Sequence, residues 1–467
     1  MAGWMVPRTA VITFEDSRER VYLKRHALVE EELGKILRSL EGAAEVTFLA
    51  SVRNVYDIDA VVDEPGLSRA ESVVLHVPTW ILPNVVVMTA NRVGRPLIVV
   101  TNLRSDSAGI VGMLASAGGL DQAGLFHRRV IGDGADEKVA AKMLSYMRAA
   151  SVKARLWGST FGLIGGRSLG MYTATADASY WQKAFGVDTE HVDQLEIVRR
   201  AEAADAAKVA FHLKWLLDRV GHVEYEEGRF TLAHLERQIR VYLAAKDVIG
   251  EKKMDFAGLK CQTELSDGYV LGCVAAALLN DPYDAEGPKA PVPVSCEADC
   301  DGALTMMLLN LLSGGEPTAL MDVKILEPEA GLFAFSNCGG MATWFATRAF
   351  SPEANLAAVH LRSHIFGEAG GAATQYVAAP GPVTLARLCR KSGRYWMAAF
   401  RGEVIKRPRE ELKKVVWPWP HMFVSTGIDL DQFLGSFGSN HMHVATGDRM
   451  AELLETCALL GVDFRAY

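Results

Sequence analysis

The first 150 residues alternate short β-branched runs with longer amphipathic segments, and this alternation constrains the fold more than any other feature of the chain. Runs at 10–14, 45–49, 72–77, 96–101 and 128–131 read as strands, with a helical segment at 25–40 between the first two. Strands separated by helical segments pair in parallel through right-handed crossovers, so an open α/β domain is expected over residues 1–153.

The pattern restarts near residue 154, with a strand-like run at 155–157 and a glycine-rich stretch at 162–170. Helical periodicity follows at 194–219 and 232–249, then short apolar runs at 255–260 and 269–279. A turn-forming connection at 280–291 leads into the strand-like 292–296. These segments predict a second α/β domain over 154–318. Beyond it, short strand-like runs at 320–326, 332–335 and 396–403 are separated by turns, which suits an antiparallel third domain over 319–467. The expected architecture is therefore α/β: two Rossmann-like open domains followed by a mainly antiparallel, barrel-like C-terminal domain.

With 49 Lys plus Arg against 56 Asp plus Glu, the formal charge of −7 argues against nucleic acid or an anionic membrane as the main partner. Cysteines 261, 273, 296, 300, 338, 389 and 457 are odd in number and widely spread, which reads as free thiols in a reducing compartment rather than a disulfide framework. The apolar stretches at 85–88 and 97–100 are interrupted well before the ~20 residues that span a bilayer. No secretory leader is legible at the N-terminus, and a cytoplasmic location with a small-molecule partner is expected.

Several motifs invite chemistry. The glycines of 162–170 do not follow G-x-G-x-x-G and lack the Lys-Ser/Thr of a phosphate loop, so a tight turn presenting Arg167 and Met171 is expected. Cys296 and Cys300 lack the second pair that structural zinc requires and read as buried thiols. His360 and His364 share a face at i, i+4, but no Glu sits between them in the zinc-protease position, and a solvated or hydrogen-bonded pair is expected.

Three other segments carry more. Glu297 stands at the end of an apolar strand and just before a strongly apolar helix, where open α/β sheets form their ligand crevices. Asp322 lies within the strand-like Leu-Met-Asp-Val-Lys, and His441 and His443 lie on a short segment between glycines. Two carboxylates and a histidine suit a divalent cation that keeps positions open for substrate and water. The spacings, 25 residues from Glu297 to Asp322 and 119 from Asp322 to His441, leave assembly to the fold. His443 is an alternative to His441, because residues i and i+2 of a strand face the same side.

At these residues the chain resembles the L-fucose isomerase family, within the wider group that includes L-arabinose isomerase. The resemblance rests on Cys296-Glu297-Ala-Asp-Cys-Asp-Gly302, Met321-Asp322-Val-Lys, Gly381-Pro-Val-Thr-Leu-Ala-Arg387 and Asn440-His441, and extends upstream to Gln262, Met171, Trp80 and Arg18. It implies manganese or another divalent cation held by Glu297, Asp322 and His441, and aldose–ketose isomerisation of a sugar such as L-fucose or D-arabinose. It implies that Gln262, Asn440 and Met171 contact the sugar. It also implies oligomers, with a homohexamer favoured, in which Arg18 and Trp80 complete a neighbouring subunit's pocket. The family's sugar-lining positions in the third domain are unassigned here, with Gln375, Tyr376 and Trp417 as candidates.

Such a reaction moves a proton between C2 and C1 through an enediolate, and Glu297 and Asp322 are the two carboxylates available for that traffic. Which of them acts at carbon is open. Two other functions fit the same residues: an isomerase or epimerase for a different sugar such as L-arabinose, and a non-catalytic sugar-binding or regulatory module on the same scaffold.

Overall fold

The computed structural model describes residues 6–467, which fall into two compact units that divide after Arg155. In the first unit, strands Arg8–Phe14, Glu45–Val52, Ser72–His76, Leu97–Thr101 and His127–Ile131 form one parallel sheet. In chain numbering its order is 2-1-3-4-5, a doubly wound arrangement. Ser72–His76 and Leu97–Thr101 are buried at every position, as central strands covered on both faces must be. Helix Pro83–Val93 starts with proline in its first turn and stops at Gly94, whose φ of 58° suits the left-handed cap. A Cβ on Gly112, in helix Gly109–Gln122, would lie 2.4 Å from the Thr79 carbonyl oxygen, so glycine is what lets that helix close on the loop carrying Trp80.

His76 is buried in this sheet, with Nδ1 2.9 Å from Thr13 Oγ1, and burial holds its pKa down to about 3. The unfolded chain takes up a proton on this ring near pH 6.5, whereas the native unit does so only near 3, so stability present above 6.5 is lost as the pH falls through that window. Relative to His76→Asn, wild-type unfolding free energy is expected to fall by about 1.4 kcal/mol per pH unit below 6.5. Denaturant titrations of both proteins from pH 7.5 to 4.5 check this, and a pH-independent difference contradicts it.

In the second unit, Val294–Cys296, Phe256–Leu259, Thr160–Ile164 and Asp188–Val192 form a parallel sheet in that order. Residues 155–157 are not its first strand: helix Glu137–Leu156 runs to this point, and the strand begins at Thr160 after a turn at Gly158, φ 89°. The helical stretch expected over 194–219 is two helices, Gln194–Glu202 and Ala206–Leu217. Asp205 starts the second by accepting from the Lys208 N–H at 2.8 Å.

The antiparallel part closes on itself. Strands Ala319–Asp322, His441–Thr446, Gly381–Lys391, Arg394–Val404, His421–Ser425 and Leu332–Ser336 pair in that order, and Asp322 opposite Ser336 completes the barrel. Phe333, Phe335, Leu385, Phe400, Met422 and Val444 are buried in the core that runs through it. Closure removes the free edges that an open antiparallel sheet would leave. A smaller sheet joins His222–Glu224 to His360–Ser363 and Ala372–Gln375. Among the described residues no helix is long and apolar enough to cross a membrane.

Candidate active site

Glu297 leaves strand Val294–Cys296 through a turn that L-residues rarely adopt: Glu297 and Ala298 both have positive φ, 58° and 50°. Each such residue costs on the order of 1 kcal/mol or more and persists where its surroundings over-determine it. Two features hold this turn. The Ala298 N–H donates to the Leu259 carbonyl at 3.2 Å, and a Cβ on Gly258 would lie 2.9 Å from Ala298 Cα, so the neighbouring strand must be glycine there. Asp299 then caps helix Cys300–Leu312, accepting from the Gly302 N–H at 2.9 Å.

Asp322 and His441 meet because they are directly opposed in the antiparallel pair Ala319–Asp322 and His441–Thr446, which sets both side chains on one face. The turn brings Glu297 to the same point. His441 Nε2 lies 3.5 Å from Glu297 Oε2 and 3.6 Å from Asp322 Oδ1. The His441 side chain is 2% exposed, whereas those of Glu297 and Asp322 are 16% and 36% exposed, so the carboxylates form the open side of the cluster.

The other face of the imidazole is fixed by Asp299. His441 Nδ1 is 2.7 Å from Asp299 Oδ2, and a carboxylate can only accept, so the Nδ1 proton donates to it. Arg387, from strand Gly381–Lys391, donates to the same Asp299 oxygen and to the Thr173 carbonyl at 3.0 Å. Burial disfavours the Asp299 charge, but Arg387 and His441 override it and hold the carboxyl well below the usual range. His441 is likewise buried, yet Asp299, Glu297 and Asp322 favour positive charge on it and raise its pKa to about 10. Burial pushes Asp322 up to about 6 against the opposing pull of His441.

This donor set fits a hard or borderline divalent cation. A carboxylate-oriented imidazole directs Nε2 toward two carboxylates whose field already favours positive charge at that point, and their accessible side leaves room for further oxygen ligands. His443 does not share the role. It is buried against Gly302, where a Cβ would lie 2.7 Å from both His443 Nε2 and Asp299 Cγ. Gly302→Ala is therefore expected to destabilise the chain by about 1–3 kcal/mol, opposite in sign to an unhindered Gly→Ala change in a helix. Thermal unfolding of the variant checks it, and an increase in Tm contradicts it.

The parallel sheet contributes two further candidates and the barrel a third. Gln262 follows strand Phe256–Leu259 and Met171 follows Thr160–Ile164, both past the C-terminal ends of neighbours in the sheet that carries Glu297, the edge where open sheets bind ligands. Ser168 Oγ donates to the Gln262 carbonyl at 3.0 Å, and the Met171 N–H donates to the Ser168 carbonyl at 3.0 Å, so these two segments are tied together. Asn440 precedes His441, is exposed, and accepts through its carbonyl from the Val323 N–H at 2.9 Å. Arg18 and Trp80 lie in the other unit. There Arg18 grips Asp16 in a fork, Nε to Oδ1 at 2.9 Å and Nη2 to Oδ2 at 2.6 Å, and Trp80 is half-buried.

Other motifs resolve structurally. The turn after Thr160–Ile164 uses left-handed Gly165, Gly166 and Gly170 and leaves Arg167 exposed, 5.1 Å over the Tyr172 ring. Tyr376 is buried with its hydroxyl donating to Ala342, and Gln375 is held by Arg362 and Arg409 at 2.9 Å each. Trp417 is half-buried under Arg362, 4.8 Å from its ring centroid. His360 and His364 are not a pair: the strand ends at Ser363, so His360 packs on His222 at 5.2 Å while His364 turns into the interior. All seven cysteines are free and buried, and Cys273, Cys338 and His364 form a cluster capable of holding a metal ion. Its thiolates are soft donors, a chemistry distinct from that of the carboxylate set.

Sequence reasoning missed Asp299 and Arg387 as a unit. The available signal was an Asp immediately before an apolar helix, the signature of an N-cap.

The C-terminal edge of a parallel α/β sheet thus presents Glu297 to Asp322 and an oriented His441 from a closed barrel, a two-carboxylate, one-histidine set at a sheet-edge crevice. Residues 10–158 match the family model of the first N-terminal domain of L-fucose isomerase, and residues 335–467 that of its C-terminal domain. The chain belongs to the L-fucose isomerase family. Among curated proteins, it is 24% identical over 242 residues to the L-fucose isomerase of Haemophilus influenzae (strain PittEE), covering 44% of this chain and 41% of that one. It is 24% identical over 285 residues to the sulfoquinovose isomerase of Alkalicoccus urumqiensis, covering 60% and 59%. With the L-fucose isomerase of Citrobacter koseri it shares 25% over 217 residues, 41% and 36%. The matches thus span from about a third to three fifths of these relatives' lengths.

Proposed function

We propose that this chain is a metal-dependent aldose–ketose isomerase acting on an open-chain sugar of the L-fucose or D-arabinose type. The observation that carries the reading is the convergence of Glu297 and Asp322 on Nε2 of an Asp299-oriented His441. Glu297, Asp322 and His441 would hold the cation, with Mn²⁺ as the first candidate. A bound divalent cation supplies polarisation of the sugar carbonyl and stabilisation of negative charge as it develops on oxygen.

The rest falls to the protein. One of the two carboxylates takes the proton from C2, and the electron pair forms the C1–C2 double bond of an enediolate as O1 gains the charge. Return of the proton to C1, with transfer of the O2 proton to O1 through the other carboxylate, leaves a hydroxyl on C1 and the ketone at C2. Glu297 and Asp322 divide the proton traffic, one acting at carbon and the other between the two oxygens. Asp299 acts through His441, keeping its Nδ1 protonated and Nε2 available. Gln262, Asn440 and Met171 would orient the sugar. Arg18 and Trp80 would serve a neighbouring subunit in a homo-oligomer, with a hexamer favoured. In this reading the domains divide at 1–153, 154–318 and 319–467, and the protein works in the cytoplasm.

A second substrate reading has its own support, because the match to the sulfoquinovose isomerase covers more of the chain than those to the L-fucose isomerases. Ketose formation from L-fucose, D-arabinose, L-arabinose and sulfoquinovose, each with Mn²⁺, separates the alternatives. The proposal predicts highest kcat/KM on L-fucose or D-arabinose and deuterium at C1 of ketose formed in D₂O. Preference for sulfoquinovose or L-arabinose replaces the substrate, and no turnover on any of them, with the sugars still bound, favours a non-catalytic binding module.

A further inference from the structure

A second cluster of metal-ligating side chains borders the carboxylate set at Cys296, the residue before Glu297. Cys261, Cys273, Cys296 and Cys338 share one buried apolar cluster with Leu271, Leu320 and Trp419. Cys338 Sγ is 3.1 Å from Cys296 Sγ, and one ligand atom each from Cys273, Cys338 and His364 lie within 4.8 Å of one another. Tetrahedral zinc with bonds of about 2.3 Å to sulfur requires sulfurs about 3.8 Å apart, so small side-chain shifts bring these donors onto one ion.

The imidazole is already positioned. Its Nδ1 accepts from the Phe366 N–H at 2.9 Å and lies 3.1 Å from the Phe366 carbonyl, and its Nε2 lies 2.7 Å from the Cys338 carbonyl and 3.1 Å from Trp419 Nε1. Ligation through Nε2 places the proton on Nδ1, against the Phe366 carbonyl, and exchanges the Trp419 indole N–H for the ion at the Nε2 lone pair, leaving the outer hydrogen bond usual for a ligating histidine. The Trp419 ring packs on the imidazole, with centroids 5.6 Å apart, and limits its movement.

We propose that Cys273, Cys296, Cys338 and His364 form a second metal site, selective for a soft d¹⁰ divalent cation with Zn²⁺ as the probe, distinct from the hard-cation site at Glu297, Asp322 and His441. Three thiolates and an imidazole select zinc over manganese, whereas two carboxylates and an imidazole accept either. Loading releases the three thiol protons to solvent, with no change in oxidation state. Because Cys296 directly precedes Glu297, the loaded site anchors the strand end from which the left-handed turn departs. This inference stands independently of the isomerase reading.

The test uses the full-length, chelator-stripped His441→Asn variant, whose hard site is disabled, titrated with Co²⁺ and then Zn²⁺. The expected result is one Co²⁺ per chain with thiolate-to-cobalt charge-transfer absorption, bleached by one equivalent of Zn²⁺ and accompanied by a rise in Tm. Adding Cys338→Ser abolishes the absorption, and adding Cys457→Ser, on the C-terminal helix Met450–Leu460, leaves it intact. X-ray absorption of the wild-type protein loaded with one equivalent of Zn²⁺ with the carboxylate set held by excess Mn²⁺, which requires no variant to fold, is expected to show three sulfur ligands and one nitrogen around zinc. Zinc bound only through oxygen and nitrogen, absorption that survives Cys338→Ser, or a Cys296–Cys338 disulfide in freshly purified protein each overturns the proposal.

Discussion

Glu297→Gln is expected to lower kcat by about 10³-fold or more while leaving the fold intact. General acid–base catalysis by a positioned side chain is worth about 10²–10⁴-fold, and this residue is also asked to supply anionic charge to the cation. The amide preserves size and shape, so the turn held by Gly258 and the Ala298 hydrogen bond is undisturbed. It can neither accept a proton from carbon nor complete the field around His441 Nε2. Circular dichroism and thermal unfolding should match wild type, while ketose formation and Mn²⁺ affinity both fall. Activity within a few-fold of wild type would falsify the assignment of Glu297.

Asp299→Asn is expected to do two separable things. First, the carboxylate orients the ring that presents Nε2, and replacement of such an outer partner costs about 10–100-fold in metal affinity. Second, Arg387 is 1% exposed and its ion-pair partner is this carboxylate, so neutralising Asp299 leaves a buried guanidinium without its counter-charge. Breaking a buried pair in that way costs about 3–5 kcal/mol. Combining Asp299→Asn with Arg387→Leu should restore much of the stability without restoring metal affinity. Denaturant unfolding and Mn²⁺ titration of the three proteins read the two effects apart. Equal recovery of both quantities, or recovery of neither, contradicts the division of roles.

The sequence announced those parts of the molecule whose local pattern is also their tertiary role. The three inner strands of the first sheet, Arg8–Phe14, Ser72–His76 and Leu97–Thr101, are rich in β-branched residues because central parallel strands are buried on both faces. Glu297 was legible because a carboxylate between an apolar strand and an apolar helix marks a sheet edge. Asp188–Val192 went unmarked because this edge strand, Asp-Thr-Glu-His-Val, carries no apolar run. The end of helix Glu137–Leu156 was misread as a strand because Arg155, Leu156 and Trp157 suit either period over so few residues.

The assembly of the site lay beyond local pattern. The motif resemblance named Asp322 and His441, but their approach is a matter of strand register across 119 residues, which no single-sequence periodicity encodes. Asp299 and Arg387 lie 88 residues apart, and their pairing is visible only once the barrel is closed. The thiol cluster was obscured for the same reason: Cys296 and Cys338 are 42 residues apart, and Cys273 lies 65 from Cys338, far from the short spacings of recognised zinc motifs.

The central claim, that Glu297, Asp322 and His441 hold a catalytic divalent cation, is tested most directly by titrating Mn²⁺ into chelator-stripped wild-type protein while following ketose formation. Turnover is predicted to be absent before addition, to rise in proportion to Mn²⁺ bound at the carboxylate set, and to stay absent in His441→Asn at the same Mn²⁺ concentration. Full turnover by the stripped protein, or undiminished Mn²⁺-dependent turnover by His441→Asn, would contradict the account.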